Sequence, residues 1–155
     1  MTAAKSEFVV ANHTLTVPTR GKGFVDITQR LHHWLKDLST KEGLLTVFIR
    51  HTSASLTIQE NADPNVGVDL LAALEALAPE GRAYAHAEEG PDDMPSHIKS
   101  MLTSISLSIP VQAGQMALGT WQGVYLIEHR DAPHERSVVL NFVGSRGAPA
   151  GPNCY

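Results

Sequence analysis

The spacing of hydrophobic and polar residues changes along the chain between a period of two and a period near four, which predicts a mixture of strands and helices. Short apolar or alternating runs, typical of strands, lie at residues 8–11, 15–17, 44–49, 55–59, 104–109, 115–118, 124–128 and 137–143. Asn12-His13 and Ala113-Gly114 have the composition of turns. These runs predict about eight strands, joined largely by turns and therefore mainly antiparallel.

Two longer segments have helical periodicity. In residues 26–38, apolar residues recur on one helical face and Gly43 follows the end. In residues 64–78, Asp63 is placed to cap the helix and Pro64 suits its first position. The buried face predicted for this second helix consists of Leu70, Leu71, Leu74 and Leu77. A further helical turn or two is expected in residues 97–102, so the fold class is α+β: a sheet or sandwich with two main helices.

The chain has the length and composition of a single folded domain. Its 155 residues are 43% hydrophobic and 18% charged, and the formal net charge is −4. Lysine and arginine are scattered rather than gathered in a stripe, so we expect no nucleic-acid interface. We predict one domain over residues 1–144 and a flexible tail over residues 145–155.

The expected location is the cytoplasm. The single cysteine, Cys154, lies in the tail without an internal partner, which fits a reducing compartment. The N-terminal residues lack the apolar core of a signal peptide, and no apolar run is long enough to span a bilayer, so no membrane association is expected.

Polar chemistry is concentrated in residues 50–64, between hydrophobic segments. His51 and Glu60 lie at opposite ends of this stretch and are the candidate acid–base residues. Ser53 is a candidate for contacting substrate and a weak candidate nucleophile, because no nucleophile-elbow motif surrounds it. The alternative is that these polar residues only satisfy backbone groups in turns and caps.

Three histidines, His51, His86 and His97, lie at or near irregular segments, where sites usually form. Three imidazoles would suit Zn²⁺ or a related divalent ion with one position open, although the spacing is not that of a zinc finger. Asp92 and Asp93 are either a solvated charge pair or carboxylates that orient a histidine, and Asp93 joins the catalytic candidates.

The remaining candidates would contact a substrate. Thr120 and Gln122 lie between two glycines that allow close backbone approach. Arg136, if it faces inward, suits a phosphate or carboxylate. Glu128 either forms an ion pair with a nearby arginine or belongs to the site.

Several ordered motifs carry a resemblance to a known family. They are His-Thr-Ser-Ala-Ser at 51–55, Glu-Asn-Ala-Asp-Pro at 60–64, and the segments 20–28, 92–99 and 114–128. Together they resemble the YjbQ-like family, small proteins often labelled secondary thiamine-phosphate synthases, over nearly the whole chain. This chain has Pro95 where many members have a second histidine, which leaves the third metal ligand open.

The resemblance implies a homotrimer with pockets at subunit interfaces, built from the histidine, Glu60-Asn61 and the 92–97 loop. The label given to the family implies that hydroxymethylpyrimidine diphosphate condenses with a thiazole phosphate to form thiamine phosphate, aided by a divalent metal such as Zn²⁺ or Mg²⁺. The physiological reaction stays open, because the chain lacks an evident diphosphate-binding motif. The alternative is a non-catalytic protein that binds a metal or a small anion.

Overall fold

Eight strands and three helices make up the described part of the chain, residues 6–147 of a computed structural model. In chain order the elements are β1 (Ser6–Thr19), β2 (Gly23–Asp26), α1 (Thr28–Asp37), β3 (Thr40–Ile49), β4 (Ala54–Glu60), α2 (Pro64–Leu77), α3 (Asp93–Leu102), β5 (Ser106–Gln112), β6 (Gln115–Met116), β7 (Gln122–Glu128) and β8 (His134–Gly147). None of these helices is both long enough and apolar enough to cross a bilayer.

The strands form two sheets in which every pairing is antiparallel. The larger sheet has the order β1-β8-β3-β5-β6 and the smaller has the order β2-β7-β4. Residues from both sheets and from α1 share one buried core, which includes Val17, Leu31, Leu45, Leu56, Leu126 and Phe142. The predicted α+β class and the mainly antiparallel sheet are confirmed.

The predicted bounds of β1 and α3 were wrong, because contacts with neighbouring elements override local composition. Residues 8–17 form one strand rather than two, since β1 pairs with β8 without interruption and Asn141 Nδ2 donates to Asn12 Oδ1 over 2.7 Å. Helix α3 begins at Asp93 rather than at residue 97. Pro95 does not prevent this, because an amide hydrogen is not needed in the first helical turn.

The C-terminal boundary also differs from the prediction. β8 continues to Gly147, so residues 145–147, predicted to begin a flexible tail, belong to a strand. The other residues of that predicted tail, including Cys154, lie outside the described part of the chain.

Three successive rows of paired residues on the outward face of the larger sheet are uncharged across four strands. These rows are Val10, Val143, Leu44 and Pro110, then Asn12, Asn141, Thr46 and Ser108, then Thr14, Val139, Phe48 and Ser106. Val10 is 57% exposed, and Leu44, Phe48 and Val143 are also exposed. We call this surface the outer sheet face.

Helix α2 differs most from its predicted packing. Its cap is as predicted, since Asp63 Oδ1 accepts the Asn65 N–H over 2.9 Å. However, no residue of α2 is fully buried, and Leu77, predicted to face the core, is 63% exposed. The helix lies over the smaller sheet with a cavity beneath its first turns.

Candidate functional site

Strand β4 separates the two ends of the polar stretch that the sequence singles out. His51 precedes the strand and Glu60 is its last residue. Seven residues at about 3.3 Å each extend about 20 Å, so these two side chains do not act on the same atom within one chain. Within one chain, the predicted acid–base pair therefore divides into two separate regions.

His86, Asp93 and His97 converge at the end of β4 nearer to His51. One ligand atom from each of these three residues lies within 4.8 Å of the other two, and within residues 6–147 no other group of three His, Cys, Asp or Glu side chains does so. His86 Nε2 is 2.7 Å and His97 Nε2 is 3.4 Å from the same oxygen, Asp93 Oδ2. Two imidazoles and one carboxylate are thus directed at a common point.

The early start of α3 brings two of these ligands together. Asp93 and His97 are four residues apart on this helix and therefore share one face. The loop after α2 supplies His86 to the same point. Asp93 is buried, whereas both histidines are partly exposed, so the cluster opens to solvent on the histidine side.

Arg130 forms ion pairs with Asp93 of the cluster and with the neighbouring Asp92. Its Nη1 donates to Asp93 Oδ1 over 2.5 Å and its Nε donates to Asp92 Oδ2 over 3.1 Å. Burial alone would raise the pKa of Asp92, but the Asp131 N–H and the Arg130 guanidinium outweigh it and hold that pKa below its ordinary value. Asp92 is therefore a carboxylate that fixes Arg130, and Arg130 fixes Asp93.

A backbone carbonyl sets the tautomer of His97. Its Nδ1 lies 3.0 Å from the Thr52 carbonyl oxygen, which only accepts, so Nδ1 carries a hydrogen. In the neutral ring the lone pair is then on Nε2 and faces Asp93 Oδ2. His97 Nε2 and Asp93 Oδ2 are therefore two potential ligand atoms directed at the same point. Such a carbonyl partner is the usual support of a histidine that binds metal.

His51 lies outside this group, although the sequence grouped it with His86 and His97. Its Nε2 accepts the Ser137 N–H over 2.8 Å, so the neutral ring carries its hydrogen on Nδ1 and has no free lone pair. Burial and the nearby Arg136 charge lower the pKa of His51, which favours this neutral form. Asp93 occupies the third position in the cluster instead.

Arg136 faces inward, but its charge is already paired. Its Nε and Nη2 donate to the two oxygens of Glu128 over 2.7 and 2.5 Å, and both side chains are buried. Nη2 also contacts the Ser53 carbonyl oxygen at 3.3 Å. The ion-pair alternative for Glu128 is therefore what the structure has, and Arg136 has little capacity left for a substrate anion.

The other predicted substrate contacts lie at the far end of β4. Asn61 Nδ2 donates to the Gln122 carbonyl over 3.4 Å, and Gln122 Oε1 accepts the Gly119 N–H over 2.8 Å. These residues, with Glu60 and Thr120, are exposed. Thr120 lies between β6 and β7, and Gln122 begins β7. Glu60 and Asn61 line the cavity under α2.

Comparison with known proteins identifies the family of this chain. The family model described as UPF0047 protein YjbQ-like matches residues 13–145. The UPF0047 protein sll1880 of Synechocystis is 46% identical over 145 residues, which cover 93% of this chain and 99% of that protein. The chain belongs to the YjbQ-like UPF0047 family.

Solved structures show the same YjbQ-like fold. A YjbQ/UPF0047 family protein from Clostridium acetobutylicum has a TM-score of 0.75 and 33% identity, covering 85% of this chain and 98% of its own. A YbjQ-like protein of unknown function from Sulfolobus solfataricus P2 has a TM-score of 0.82 at 22% identity, covering 89% and 99%. The latter supports the fold alone.

Sequence reasoning did not identify the full histidine–aspartate cluster of this YjbQ-like chain. Asp93 was expected to orient a histidine or act as a catalyst rather than to sit at the centre of the ligand set. Its i, i+4 spacing from His97 was a usable signal, but it was missed because the helix was predicted to begin four residues later. The contribution of Arg130 depends on a long-range contact that has no local signal.

Proposed function

We propose that the protein binds a divalent metal through His86 Nε2, Asp93 Oδ2 and His97 Nε2 and acts on a small phosphorylated substrate beside it. The observation that supports this most is the convergence of His86 Nε2 and His97 Nε2 on one buried carboxylate oxygen, Asp93 Oδ2. Two nitrogens and one oxygen suit Zn²⁺ or a related transition metal better than Mg²⁺, which prefers oxygen ligands and bound water.

A cavity beside His86 supports a role in substrate binding. It has a volume of about 340 Å³ and is lined by His86, Arg82, Tyr84, Met94 and neighbouring loop residues. Arg82 offers a planar guanidinium that suits a phosphate or carboxylate. A divalent ion in the cluster would polarise a phosphoryl oxygen and lower the pKa of a bound water. The chain itself orients the substrate anion through Arg82.

Four of the cations that could stabilise a departing diphosphate are already paired. Lys22, Lys99, Arg130 and Arg136 are all engaged with carboxylates. The thiamine-phosphate-forming condensation needs cations that stabilise diphosphate as it leaves. We therefore include that reaction in the test as one member of a broader substrate class.

One observation favours the alternative of metal binding without catalysis. Asp93 Oδ1 is engaged by Arg130 and Oδ2 faces both histidines, so this carboxylate is not free to accept a proton from water. Glu60, the predicted base, lies at the other end of β4. If the protein does convert a substrate, the reaction therefore depends on the metal and not on a separate base from the same chain.

Metal content is the first test. Elemental analysis of the untagged full chain is expected to give about one transition-metal ion per chain, and His97→Ala and His86→Ala should each lose most of it. Arg130 donates to Asp93, and removing such a partner of a ligand should weaken metal affinity about 10–100-fold, so Arg130→Gln should show an intermediate loss. The control is His33→Ala, on an exposed position of α1. Equal metal in wild type and both histidine variants would refute the site.

Activity is tested on the metal-loaded chain with a phosphomonoester panel and with the two phosphorylated thiamine precursors together. Turnover that requires His97 and weakens in Arg82→Gln supports the enzyme. Stoichiometric metal without multiple turnover on any of these substrates supports the non-catalytic alternative. Turnover of wild-type rate in a metal-free His97→Ala chain would reject the proposed mechanism.

Assembly into a homotrimer through the outer sheet face is the second part of the proposal. An uncharged surface with exposed Val10, Phe48 and Val143 suits a second copy of itself. A cavity lined by Phe48, His51 and Ser53 lies beside this face, so a neighbouring subunit would complete it. Light scattering should give three chains for wild type and one for Val143→Lys. The control, Val68→Lys on exposed α2, should stay trimeric, and a trimeric Val143→Lys would contradict the assignment.

A further inference from the structure

A second cavity lies between α2 and the smaller sheet, far from the histidine cluster. It encloses about 290 Å³, close to the ~300–1,000 Å³ of small-ligand sites. Its walls come from three strands and the first turns of α2, and they include Phe24, Tyr125, Val66, Gly67 and Leu70. We call it the α2 cavity.

The aromatic residues form two walls at right angles. The rings of Phe24 and Tyr125 have centroids 5.9 Å apart and an interplanar angle of 87°. Burial and the neighbouring Asp26 charge raise the pKa of Tyr125, which keeps its phenol neutral. Space remains here because Gly67 has no side chain, and a Cβ at this position would lie 3.7 Å from the Phe24 ring. The cavity is therefore lined by aromatic and aliphatic side chains.

The charged side chains that line the cavity are all acidic. Asp26, Glu60 and Asp63 line it, whereas no lysine, arginine or histidine does. Asp26 Oδ1 and Asp63 Oδ1 each accept a backbone N–H, from Thr28 and Asn65 respectively, which leaves the second oxygen of each carboxylate. The Glu60 carboxylate has no hydrogen-bond or ion-pair partner among residues 6–147.

The spacing of these carboxylates argues against a metal ion as the occupant. Among the described residues only His86, Asp93 and His97 bring three ligand atoms within 4.8 Å of one another, so the three carboxylates of the α2 cavity do not converge in this way. A larger cation that spans the cavity satisfies separated carboxylates. Aromatic walls add to its binding through attraction between the cation and the ring faces.

From this combination we propose that the α2 cavity binds a small organic ammonium ion with an apolar body, held by Glu60 and by the faces of Phe24 and Tyr125. The carboxylates of Asp26 and Asp63 add to the negative field. Gln59 and Asn61 supply neutral polar groups at the rim. Capping of the two helices explains Asp26 and Asp63, but it does not explain Glu60 or the aromatic cavity.

The test compares cations with neutral molecules of the same shape. Choline and benzylamine, with their neutral counterparts 3,3-dimethyl-1-butanol and benzyl alcohol, are titrated into the full chain by calorimetry or by ligand-observed NMR. At least one cation is expected to bind about tenfold more tightly than its counterpart, which corresponds to a contact of about 1.4 kcal/mol. Equal binding within both pairs, or no saturable binding of either cation up to about 10 mM, would overturn the proposal.

Matched substitutions locate the binding. Glu60→Gln keeps the shape of an exposed side chain and should reduce cation affinity to that of the neutral counterpart, whereas Glu135→Gln, also exposed, should have no effect. Unchanged affinity in Glu60→Gln would refute the site. A metal chelator is expected to leave the binding unaltered, because the histidine cluster lies at the opposite end of β4. Loss of cation binding on chelation would assign it to that cluster instead.

Discussion

The buried ion pair between Glu128 and Arg136 gives the sharpest stability prediction. The Glu128 carboxylate accepts hydrogen bonds from the Thr19 hydroxyl, the Arg130 N–H and two nitrogens of Arg136, at 2.5–3.0 Å. Glu128→Gln preserves the shape but removes the charge. It also replaces one accepting oxygen with an NH₂ group that faces other donors.

The expected cost follows from burial. Arg136 is 3% exposed, so the substitution leaves a buried guanidinium without its counter-charge. Removing one partner of a buried pair costs about 3–5 kcal/mol, a large share of the ~5–15 kcal/mol by which domains are stable. We expect Glu128→Gln to lower the free energy of unfolding by that amount.

Urea denaturation of the full chain measures this effect, with every variant at one protein concentration because subunit association alters apparent stability. The control is Glu7→Gln, which breaks an exposed Arg–Glu pair with Arg146 and should cost about 0–1 kcal/mol. If Glu128→Gln costs no more than this control, the reasoning from burial is wrong.

Acid titration examines the same pair. Burial alone would raise the pKa of Glu128, but the bonds from Arg136, Thr19 and the Arg130 N–H outweigh it and hold that pKa below its ordinary value of 4.5. The contribution of the pair is therefore complete above about pH 4.5 and declines as the pH falls through the lowered pKa. In Glu128→Gln the decline below pH 4.5 should be shallower, and an unchanged acid limb would contradict the assignment.

Four further stability predictions can be checked by urea or thermal denaturation. Gly43→Ala should destabilise by about 1–3 kcal/mol, because a Cβ there would lie 2.4 Å from the Val143 carbonyl oxygen. Gly67→Ala should instead stabilise by about 0.5–1 kcal/mol, since the new methyl meets only ordinary contacts inside a helix. Asp63→Ala should cost about 1 kcal/mol through loss of the α2 cap. Burial lowers the pKa of His129 to about 4, so at mildly acidic pH the unfolded chain binds a proton that the folded chain does not. As the pH falls from 6.5 to 5, the free energy of unfolding should therefore decrease by about 2 kcal/mol, and His129→Gln should remove this decrease.

Much of the fold could be predicted from local pattern. Alternation and helical periodicity report which side chains face the core, so α1, most of the strands and the Asp63 cap lie close to where they were expected, whereas β2 was not predicted. The packing of α2 could not be predicted in this way. An apolar stripe shows that a helix has something to bury, but it does not show that the surface beneath it is a cavity with acidic residues.

The candidate site was harder to predict, because closeness in sequence and closeness in space differ here. His51 and Glu60 belong to one polar stretch, yet strand β4 holds them apart. His86 and Asp93 meet through a loop whose composition has no period, and Arg130 reaches them from the end of another strand. Only the i, i+4 relation of Asp93 and His97 was accessible from the sequence.

The pairing of β1 with β8 has a consequence for synthesis of the protein. β1, at the edge of its sheet, pairs only with β8, and Ser6 lies opposite Gly147. A ribosome adding about 5–20 residues per second therefore needs roughly 6–25 s after the first strand is made before its partner exists. During that interval Phe8 and Val10 are on a nascent segment without a sheet to join, which makes this segment a candidate client for chaperones that bind nascent chains. Pairing of β1 with β8 therefore waits until β8 has been synthesised, and it brings the two ends of the described chain together.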